Sequence, residues 1–386
     1  MSEKVLESAK LALEESRPND AIIALEPLVE FDDENVDALV CLGIAYVQAE
    51  MPKKAVEVLE RADEMVEQHC VVELFLGRAL WALGKLVSAE DRLREALRLD
   101  SSQPEACVDL GRILYQRREY REALNHIERA SEHFPDEVGL VSLHALLLYR
   151  LGDFTLATEY WEQVHRLEPY LMSGISNYAY ILLLQERSPE AASLIGSANT
   201  IDPDDYRSQI LLGELRFQSG DQEGALECFG KVLDKDPINI EALSKLAVLA
   251  RDAMDEKSFR EYLSRAEMEV GRDPESWRGL CNAYPLLGMC EEYVDCLIRW
   301  TKSDKNSAAP WVVLAAEYDR QGKLEYSRNA WRMVFELRGY VKIRCIDCKS
   351  EVRLPYDSIK GFDVYSARVC DSCGAKINMP MGLPVD

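Results

Sequence analysis

The sequence has few of the residues from which enzymes usually build active sites. Histidine occurs only five times in 386 residues, and the five positions are scattered along the chain. The chain contains no GxxxxGK[ST] phosphate loop, no HExxH zinc motif and no GxSxG nucleophile motif. These absences predict that the protein has no enzymatic activity.

Long apolar runs and excess positive charge are missing too. No segment approaches the roughly 18 apolar residues that a membrane-spanning helix needs. Met1 to Lys4 lead straight into a helical pattern, without a basic-then-apolar signal segment. With 45 basic and 68 acidic residues the formal net charge is −23, which disfavours general nucleic-acid binding. Eleven cysteines without a signal segment predict a reducing, cytoplasmic location.

A small residue recurs at a fixed spacing of 34 residues, without insertion or deletion, over ten periods. These positions are Ala9, Gly43, Gly77, Gly111, Ala145, Ala179, Gly213, Ala247, Cys281 and Ala315. A second row, from Ala21 to Ala225, repeats with the same spacing. A fixed period of this length indicates a stack of identical helical units in which two helices approach closely.

The residues within each period resemble the tetratricopeptide repeat, a pair of antiparallel helices. One copy contains Leu42-Gly43, Tyr46 and Ala55, and another contains Leu212-Gly213, Ala225 and Phe229. The resemblance covers roughly residues 2–340 and implies an all-α solenoid, a right-handed superhelix of about ten helix pairs. Glycines such as Gly84 fall between the two helices of a pair, and Pro285 is expected to kink a first helix.

In this family the first helix of each pair lines the concave face, where ligand peptides usually lie. The corresponding positions on the first helices of this chain hold seven candidate partner-binding residues. They are arginines and aromatic residues, the types that supply most of the binding energy at protein interfaces. These are Arg78, Trp81, Arg112, Tyr115, Tyr149, Arg150 and Tyr180. The other interpretation is that the aromatic side chains only pack between helices.

The helical period ends near Leu337, and residues 341–386 form a cysteine-rich tail. Short alternating segments flank Cys345-x2-Cys348 and, after 21 residues, Cys370-x2-Cys373. Two such turns supply the four thiolates that Zn²⁺ prefers, and a segment this short gains folding free energy from metal binding. The tail resembles small zinc-ribbon fingers. Because protein sulfurs fill all four positions, the zinc is expected to be structural.

Other chemistries are open for the tail and the remaining cysteines. Four thiolates also bind iron, two disulfides would need an oxidising compartment, and a redox CxxC motif usually opens a helix. The ribbon could contact nucleic acid or an acidic partner, since the tail carries eight basic and six acidic residues from Arg338 onward. The other seven cysteines are expected to be small buried core residues. They are Cys41, Cys70, Cys107, Cys228, Cys281, Cys290 and Cys296.

These observations favour a scaffold or adaptor that binds an extended segment of a partner protein, with the zinc ribbon as a cap or second contact. The order of repeats followed by a four-cysteine metal centre also resembles the lipopolysaccharide assembly protein B family, which regulates an envelope-biosynthesis enzyme. This chain lacks that family's membrane anchor in the sequence given. A third alternative is a transcription- or RNA-associated factor that acts through the ribbon.

Overall fold

The structure, a computed structural model, describes residues 2–66, 68–271, 276–345, 348, 351–355, 368–370 and 372–377. Within these ranges twenty helices follow one another as ten pairs, which confirms the predicted helical solenoid. The first helices are α1 Ser2–Glu14, α3 Val36–Gln48, α5 Cys70–Ala82, α7 Pro104–Gln116, α9 Val138–Arg150, α11 Met172–Leu184, α13 Tyr206–Gln218, α15 Ile240–Asp252, α17 Ser276–Ala283 and α19 Ala309–Arg320. The second helices are α2 Pro18–Phe31, α4 Pro52–Met65, α6 Leu86–Leu99, α8 Tyr120–His133, α10 Phe154–Leu167, α12 Ser188–Ile201, α14 Gln222–Lys235, α16 Glu256–Glu269, α18 Cys290–Ser303 and α20 Leu324–Arg338.

The chain divides into two compact units. Unit 1 comprises residues 1–143 and unit 2 residues 144–386, with the boundary inside α9. The core of unit 1 lies between first and second helices and includes Leu25, Leu39 and Leu59. The core of unit 2 is richer in large aromatic side chains, such as Trp300 and Trp331.

The small residues of the 34-residue row stand where the two helices of a pair touch. A Cβ atom added to Gly43 would lie 2.4 Å from the side chain of Leu59. At Gly213 the added atom would lie 2.8 Å from the ring of Phe229. Interiors packed to crystal density leave no room for such an atom without movement. The period seen in the sequence is therefore a packing requirement.

The turn between the two helices of a pair uses a left-handed residue. Gly84 has φ of +74° and Gly152 has φ of +73°, the region that glycine enters without a steric cost. In other copies a residue with a side chain takes this conformation, for example Glu50 with φ of +57° and Met254 with φ of +58°. The turn geometry is thus fixed by the repeat, whichever residue occupies it.

The expectation that Pro285 kinks a first helix is wrong. Helix α17 has only eight residues and ends at Ala283, and Pro285 lies in the turn that follows. Proline cannot donate a backbone hydrogen bond to the preceding turn, and it disfavours helical geometry in the residue before it. Here the helix stops instead of bending.

Within unit 2, the turn between α9 and α10 contacts the end of the last helix pair. The buried Arg338 side chain donates from Nε to the Leu151 carbonyl at 2.8 Å and from Nη2 to the Gly152 carbonyl at 2.6 Å. The Tyr340 hydroxyl donates to the Asp153 carboxylate at 2.5 Å. We call this set, residues 150–153 with residues 307–308, Arg338 and Tyr340, the latch.

The described part of the tail contains two short antiparallel strand pairs. β1 (Tyr340–Arg344) pairs with β2 (Glu351–Pro355), and β3 (Arg368–Val369) pairs with β4 (Lys376–Ile377). Residues 356–367 and 378–386, which the sequence analysis assigned to the zinc ribbon, lie outside the described residues. The ribbon as a whole, and the right-handed superhelix, stay predictions.

Candidate functional site

In unit 1, two of the predicted binding residues connect neighbouring first helices. On α5 the Arg78 guanidinium forms an ion pair with the buried Asp109 carboxylate of α7, with 2.5 Å between Nε and Oδ2. The Trp81 indole N–H donates to the side-chain oxygen of Gln116 at 2.7 Å. Both contacts run from one repeat to the next, so Arg78 and Trp81 lie on one side of the first-helix layer.

Arg112 and Tyr115 occupy the same two repeat positions on the next first helix. Arg112 is exposed, and it forms no ion pair with any residue of the described ranges. Tyr115 is half-buried, and its ring meets the ring of Tyr120 edge to face with 5.4 Å between centroids. Arg112 is therefore a cation on this surface whose charge is not neutralised by a described neighbour.

The 34-residue register extends this surface back through two more repeats. We define the unit 1 ladder as Lys10, Leu13, Ile44, Val47, Arg78, Trp81, Arg112 and Tyr115. Every member is exposed or half-buried. The first four members carry neither an arginine nor an aromatic side chain, so those residue types do not reveal them in the sequence. The repeat register alone identifies them.

Acidic side chains of unit 1 are held between repeats by arginines. Arg92 on α6 pairs with Asp63 at 2.8 Å and with the buried Glu73 at 3.1 Å. Burial raises the pKa of the Glu73 carboxyl, and the hydrogen bond from Arg92 opposes that change. Arg117 likewise pairs with Glu90. These pairs neutralise one acid of a first helix, Glu73 on α5, and two acids of second helices, Asp63 on α4 and Glu90 on α6.

In unit 2, Tyr149 and Tyr180 face side chains of the same unit. Their rings lie 6.2 Å apart, edge to face, and the Arg278 guanidinium of α17 lies 4.4 Å from the centre of the Tyr180 ring. Arg278 Nη2 also lies 3.3 Å from Glu241 Oε2. Burial raises the pKa of the Tyr180 hydroxyl, although the nearby Arg278 charge lowers it. Both predicted binding tyrosines thus belong to an aromatic and charged cluster within unit 2.

The last predicted binding residue, Arg150, lies at the start of the latch. Its backbone carbonyl accepts hydrogen bonds from the Ala308 N–H at 2.9 Å and from the Ser307 hydroxyl at 2.8 Å. Its side chain is half-buried. The structure therefore places the seven predicted residues in two groups, four in unit 1 and three in unit 2.

The four tail cysteines converge on one point. Their sulfur atoms all lie within 4.8 Å of one another, with 3.5 Å between Cys345 and Cys373 and 3.6 Å between Cys348 and Cys370. Around the second CxxC turn the Gly374 N–H donates to the Cys370 carbonyl at 2.8 Å, and Gly374 has φ of +74°. Four sulfurs held about 2.3 Å from one ion in a tetrahedron lie roughly 3.8 Å apart. The cluster fits a tetrahedral four-thiolate metal centre.

Residues 80–147 match the protein-family model described as Tetratricopeptide repeat. This stretch therefore contains tetratricopeptide-repeat sequence. The match falls on α5 to α9, and the twenty paired helices extend the same register on either side of it.

A curated relative of this repeat chain is the TPR repeat-containing protein MJ1428 of Methanocaldococcus jannaschii. It is 24% identical over 309 residues, which cover 75% of this chain and 54% of the relative. The chain therefore spans about half the length of the curated relative that it matches.

Two solved structures are similar over part of the chain. A structure described as the functional characterization of Pseudomonas aeruginosa pilF is 20% identical, covers 60% of this chain and 98% of that chain, and has a TM-score of 0.48. The structure of PilW, a type IV pilus biogenesis factor, is 16% identical, covers 52% of this chain and 94% of that chain, and has a TM-score of 0.47.

The remaining cysteines of the repeats follow the core prediction with two exceptions. Cys41, Cys107, Cys228, Cys281 and Cys296 are buried, as predicted. Cys290 is exposed and Cys70 is half-buried, so the prediction is wrong for these two. Each is the first residue of its helix, a position outside the stripe that packs on the neighbouring helix.

Among the described residues no helix is long and apolar enough to cross a bilayer.

Proposed function

We propose that this protein is a non-enzymatic scaffold that binds an extended segment of a partner protein along the unit 1 ladder. Tetratricopeptide repeat proteins generally mediate protein–protein interactions. The observation that carries the proposal is Arg112, an exposed guanidinium without an ion pair in the described ranges, beside the half-buried Trp81 and Tyr115. Aromatic and arginine side chains supply most of the binding energy at interfaces.

The composition of the ladder indicates the chemistry of the segment that it binds. One row, Leu13, Val47, Trp81 and Tyr115, is apolar or aromatic, and the other row carries Lys10, Arg78 and Arg112. Neighbouring helices pack about 8–10 Å apart, and an extended chain advances about 3.3 Å per residue. One repeat therefore corresponds to about three residues of the bound segment. The segment that fits has apolar side chains at about this spacing and carboxylates beside them.

This binding mode can be tested with peptides selected from a displayed random library against the full chain. We expect the selected peptides to combine acidic and apolar residues. Trp81→Ala combined with Arg112→Ala should weaken them at least about thirtyfold, which corresponds to about 2 kcal/mol. The binding constants are measured by fluorescence anisotropy, and circular dichroism checks that the helices remain.

A matched control removes the same side-chain types elsewhere. Tyr326→Ala combined with Arg260→Ala changes exposed residues of unit 2 and should leave peptide binding unchanged. If the Trp81 and Arg112 variant binds as well as the wild type while deletion of residues 341–386 abolishes binding, the tail is the recognition module. The ladder proposal is then wrong.

We also propose that Cys345, Cys348, Cys370 and Cys373 hold one structural zinc ion. The support is the sulfur geometry together with four soft donors, which leave no position for a water molecule and so no catalytic role. The bound ion would cross-link the two CxxC turns of a tail with little core of its own. The residues of this chain supply the thiolates and the left-handed turn at Gly374 that lets both sulfurs of one turn converge.

The metal proposal is tested by elemental analysis of reduced protein prepared without chelator. We expect one zinc per chain, and Cys373→Ser should remove it and increase hydrogen exchange in β1 and β2 without changing the helical signal. Cys290→Ser removes an exposed cysteine outside the cluster and should keep the metal. Protein that contains neither zinc nor iron would overturn the proposal, and iron in place of zinc would correct the metal only.

A further inference from the structure

A second pair of cysteines lies deep in unit 2, away from the tail. Cys281 on α17 and Cys296 on α18 have 2.7 Å between their sulfur atoms, and they are 2% and 3% exposed. Cys296 also lies 3.7 Å from the carbonyl of Trp277. A disulfide requires sulfurs about 2.05 Å apart, so only a small side-chain movement separates this pair from a covalent bond.

The pairing is specific to the ninth repeat. Cys281 stands in the row of small residues, which contains glycine or alanine in every other copy. Cys296 stands at a position taken by Arg92 and Ala330 in other copies. In the seventh repeat Cys228 occupies the position of Cys296, but its counterpart in the small-residue row is Gly213. Only in the ninth repeat do both positions carry cysteine.

A cavity gives a small reagent access to the pair. About 310 Å³ of space lies between α16, α17 and α18, and its lining includes Cys296, Trp277 and Tyr284. A cavity of this volume holds several water molecules and therefore admits a molecule as small as hydrogen peroxide. Cys296 lines the cavity and Cys281 does not, so Cys296 is the cysteine that a reagent in the cavity meets first.

We propose that Cys281 and Cys296 are an oxidation site that forms a reversible disulfide between α17 and α18 in response to a peroxide. The Cys296 sulfur attacks one peroxide oxygen, breaks the O–O bond and becomes a sulfenic acid, and one water leaves. The Cys281 sulfur then displaces the hydroxyl group from that sulfur, and a second water leaves as the S–S bond forms. A small thiol such as glutathione reverses the change in two exchange steps and is itself oxidised to its disulfide.

The disulfide has a mechanical consequence for unit 2. Helix α17 has only eight residues, and it carries Arg278 three residues before Cys281. Arg278 lies against Tyr180 and Glu241. A covalent bond from Cys281 to α18 restricts the motion of this short helix and holds Arg278 against its neighbours. Oxidation therefore stabilises the closed side-chain cluster of unit 2.

The test uses the full chain treated with hydrogen peroxide, followed by alkylation of the remaining thiols and peptide mapping. We expect a cross-linked pair of peptides joined through Cys281 and Cys296, lighter by the mass of two hydrogen atoms. Hydrogen exchange of the α17 amides should become roughly tenfold slower or more, and glutathione should restore the original rate.

Two variants abolish the effect and one does not. Cys281→Ala is suited to the site because alanine occupies this row in other repeats, and Cys296→Ala matches the residue at Ala330. Both should lose the cross-link and the change in exchange, whereas Cys228→Ala, at a buried unpaired cysteine, should keep both. The proposal is overturned if Cys281 and Cys296 are both recovered as free thiols once the exposed Cys290 has been oxidised. It is also overturned if they cross-link to other cysteines, or if exchange in α17 does not change.

Discussion

The same repeat position is half-buried in both units but has different neighbours in each. In unit 1, Trp81 and Tyr115 lie on a surface whose other members are exposed or half-buried, with the free guanidinium of Arg112 beside them. In unit 2, Tyr149 occupies the corresponding position, but its ring belongs to a cluster with Tyr180 and Arg278. A repeat sequence therefore fixes the position of a side chain on its helix, and the rest of the unit determines which side chains it contacts.

Contacts between distant repeats account for this difference. In unit 2, Arg338 donates to carbonyls 186 and 187 residues earlier in the chain, and Ser307 donates to a carbonyl 157 residues earlier. In unit 1, the hydrogen bonds of Arg78 and Trp81 connect adjacent repeats, from Arg78 to Asp109 and from Trp81 to Gln116. Unit 2 thus joins distant repeats through side chains near its first-helix layer, whereas the ladder contacts of Arg78 and Trp81 in unit 1 stay between adjacent repeats.

The largest effect is expected from removing the buried charge of the latch. Arg338, 1% exposed, donates two hydrogen bonds to the backbone carbonyls of Leu151 and Gly152. We expect Arg338→Met to destabilise unit 2 by about 3 kcal/mol, because charge-assisted bonds are lost and buried carbonyls are left unpaired. Hydrogen exchange should increase in α19 and in residues 150–153, and unit 1 should be unchanged.

The control for this variant is Arg260→Met, which removes an arginine that is 76% exposed in its ion pair with Glu256, itself 57% exposed. A surface pair of this kind contributes at most about 1 kcal/mol. Equal losses in the two variants would show that the latch does not hold unit 2 together.

The second prediction uses the glycines of the turns. A Cβ added to Gly152 would lie 2.6 Å from Val312 in the latch, whereas one added to Gly84 in unit 1 would meet nothing within 4 Å. Both have nearly the same positive φ, so alanine carries the same backbone cost at either position. We expect Gly152→Ala to cost about 1–3 kcal/mol more than Gly84→Ala, measured by denaturant unfolding. A difference near zero would mean that the latch residues shift to accept the added Cβ atom without a measurable loss of stability.

The repeat architecture was predictable from the sequence because local packing produces it. A Cβ atom added to Gly43, Gly77, Gly111 or Gly213 would lie nearest to a side chain of the second helix in the same repeat, so the pattern recurs with the period. The latch was not predictable, because Arg338 and Leu151 are 187 residues apart and no repeat rule links them. For the same reason, the repeat register places Tyr149 and Tyr180 on first helices but does not predict that they form a cluster with Arg278, which lies in a later repeat. The cysteine spacing predicted the sulfur cluster, since two close pairs suffice to define it.

The third prediction concerns a feature that both units share. Glu50 in unit 1 and Met254 in unit 2 take left-handed turn conformations that glycine adopts more easily. Glycine relieves a strain of about 1–2 kcal/mol and costs about 0.5–1 kcal/mol of unfolded-state entropy. We expect Glu50→Gly and Met254→Gly each to stabilise the protein by about 0.5–1 kcal/mol in urea unfolding. Unequal changes in stability would show that the two units differ in the strain of their turns as well as in their long-range contacts.

The smallest effect concerns one tyrosine position that recurs in both units. In unit 1 the Tyr46 hydroxyl donates to the Glu26 carboxylate at 2.6 Å, and this bond lowers the pKa of Glu26. A lowered carboxyl pKa contributes stability above the usual glutamate pKa, and the contribution is lost as the pH falls through the lowered value. Tyr46→Phe should therefore raise the Glu26 pKa in an NMR titration, and it should cost more stability at pH about 7 than at pH about 3. Because the Glu26 side chain is 43% exposed, water screens the contact and the cost stays below about 1 kcal/mol.

Tyr318 in unit 2 stands at the same repeat position and supplies the control for this titration. It lies beside Tyr326, with 5.4 Å between ring centroids, and its hydroxyl has no carboxylate partner among the described residues. Tyr318→Phe should therefore change stability by the same amount at both pH values. A pH-dependent loss in the Tyr318 variant, or none in the Tyr46 variant, would contradict the assignment of the acid-sensitive contact to unit 1. The Tyr46 hydroxyl is itself held protonated, since burial and the Glu26 charge both raise its pKa, so the hydroxyl remains the donor over the whole range.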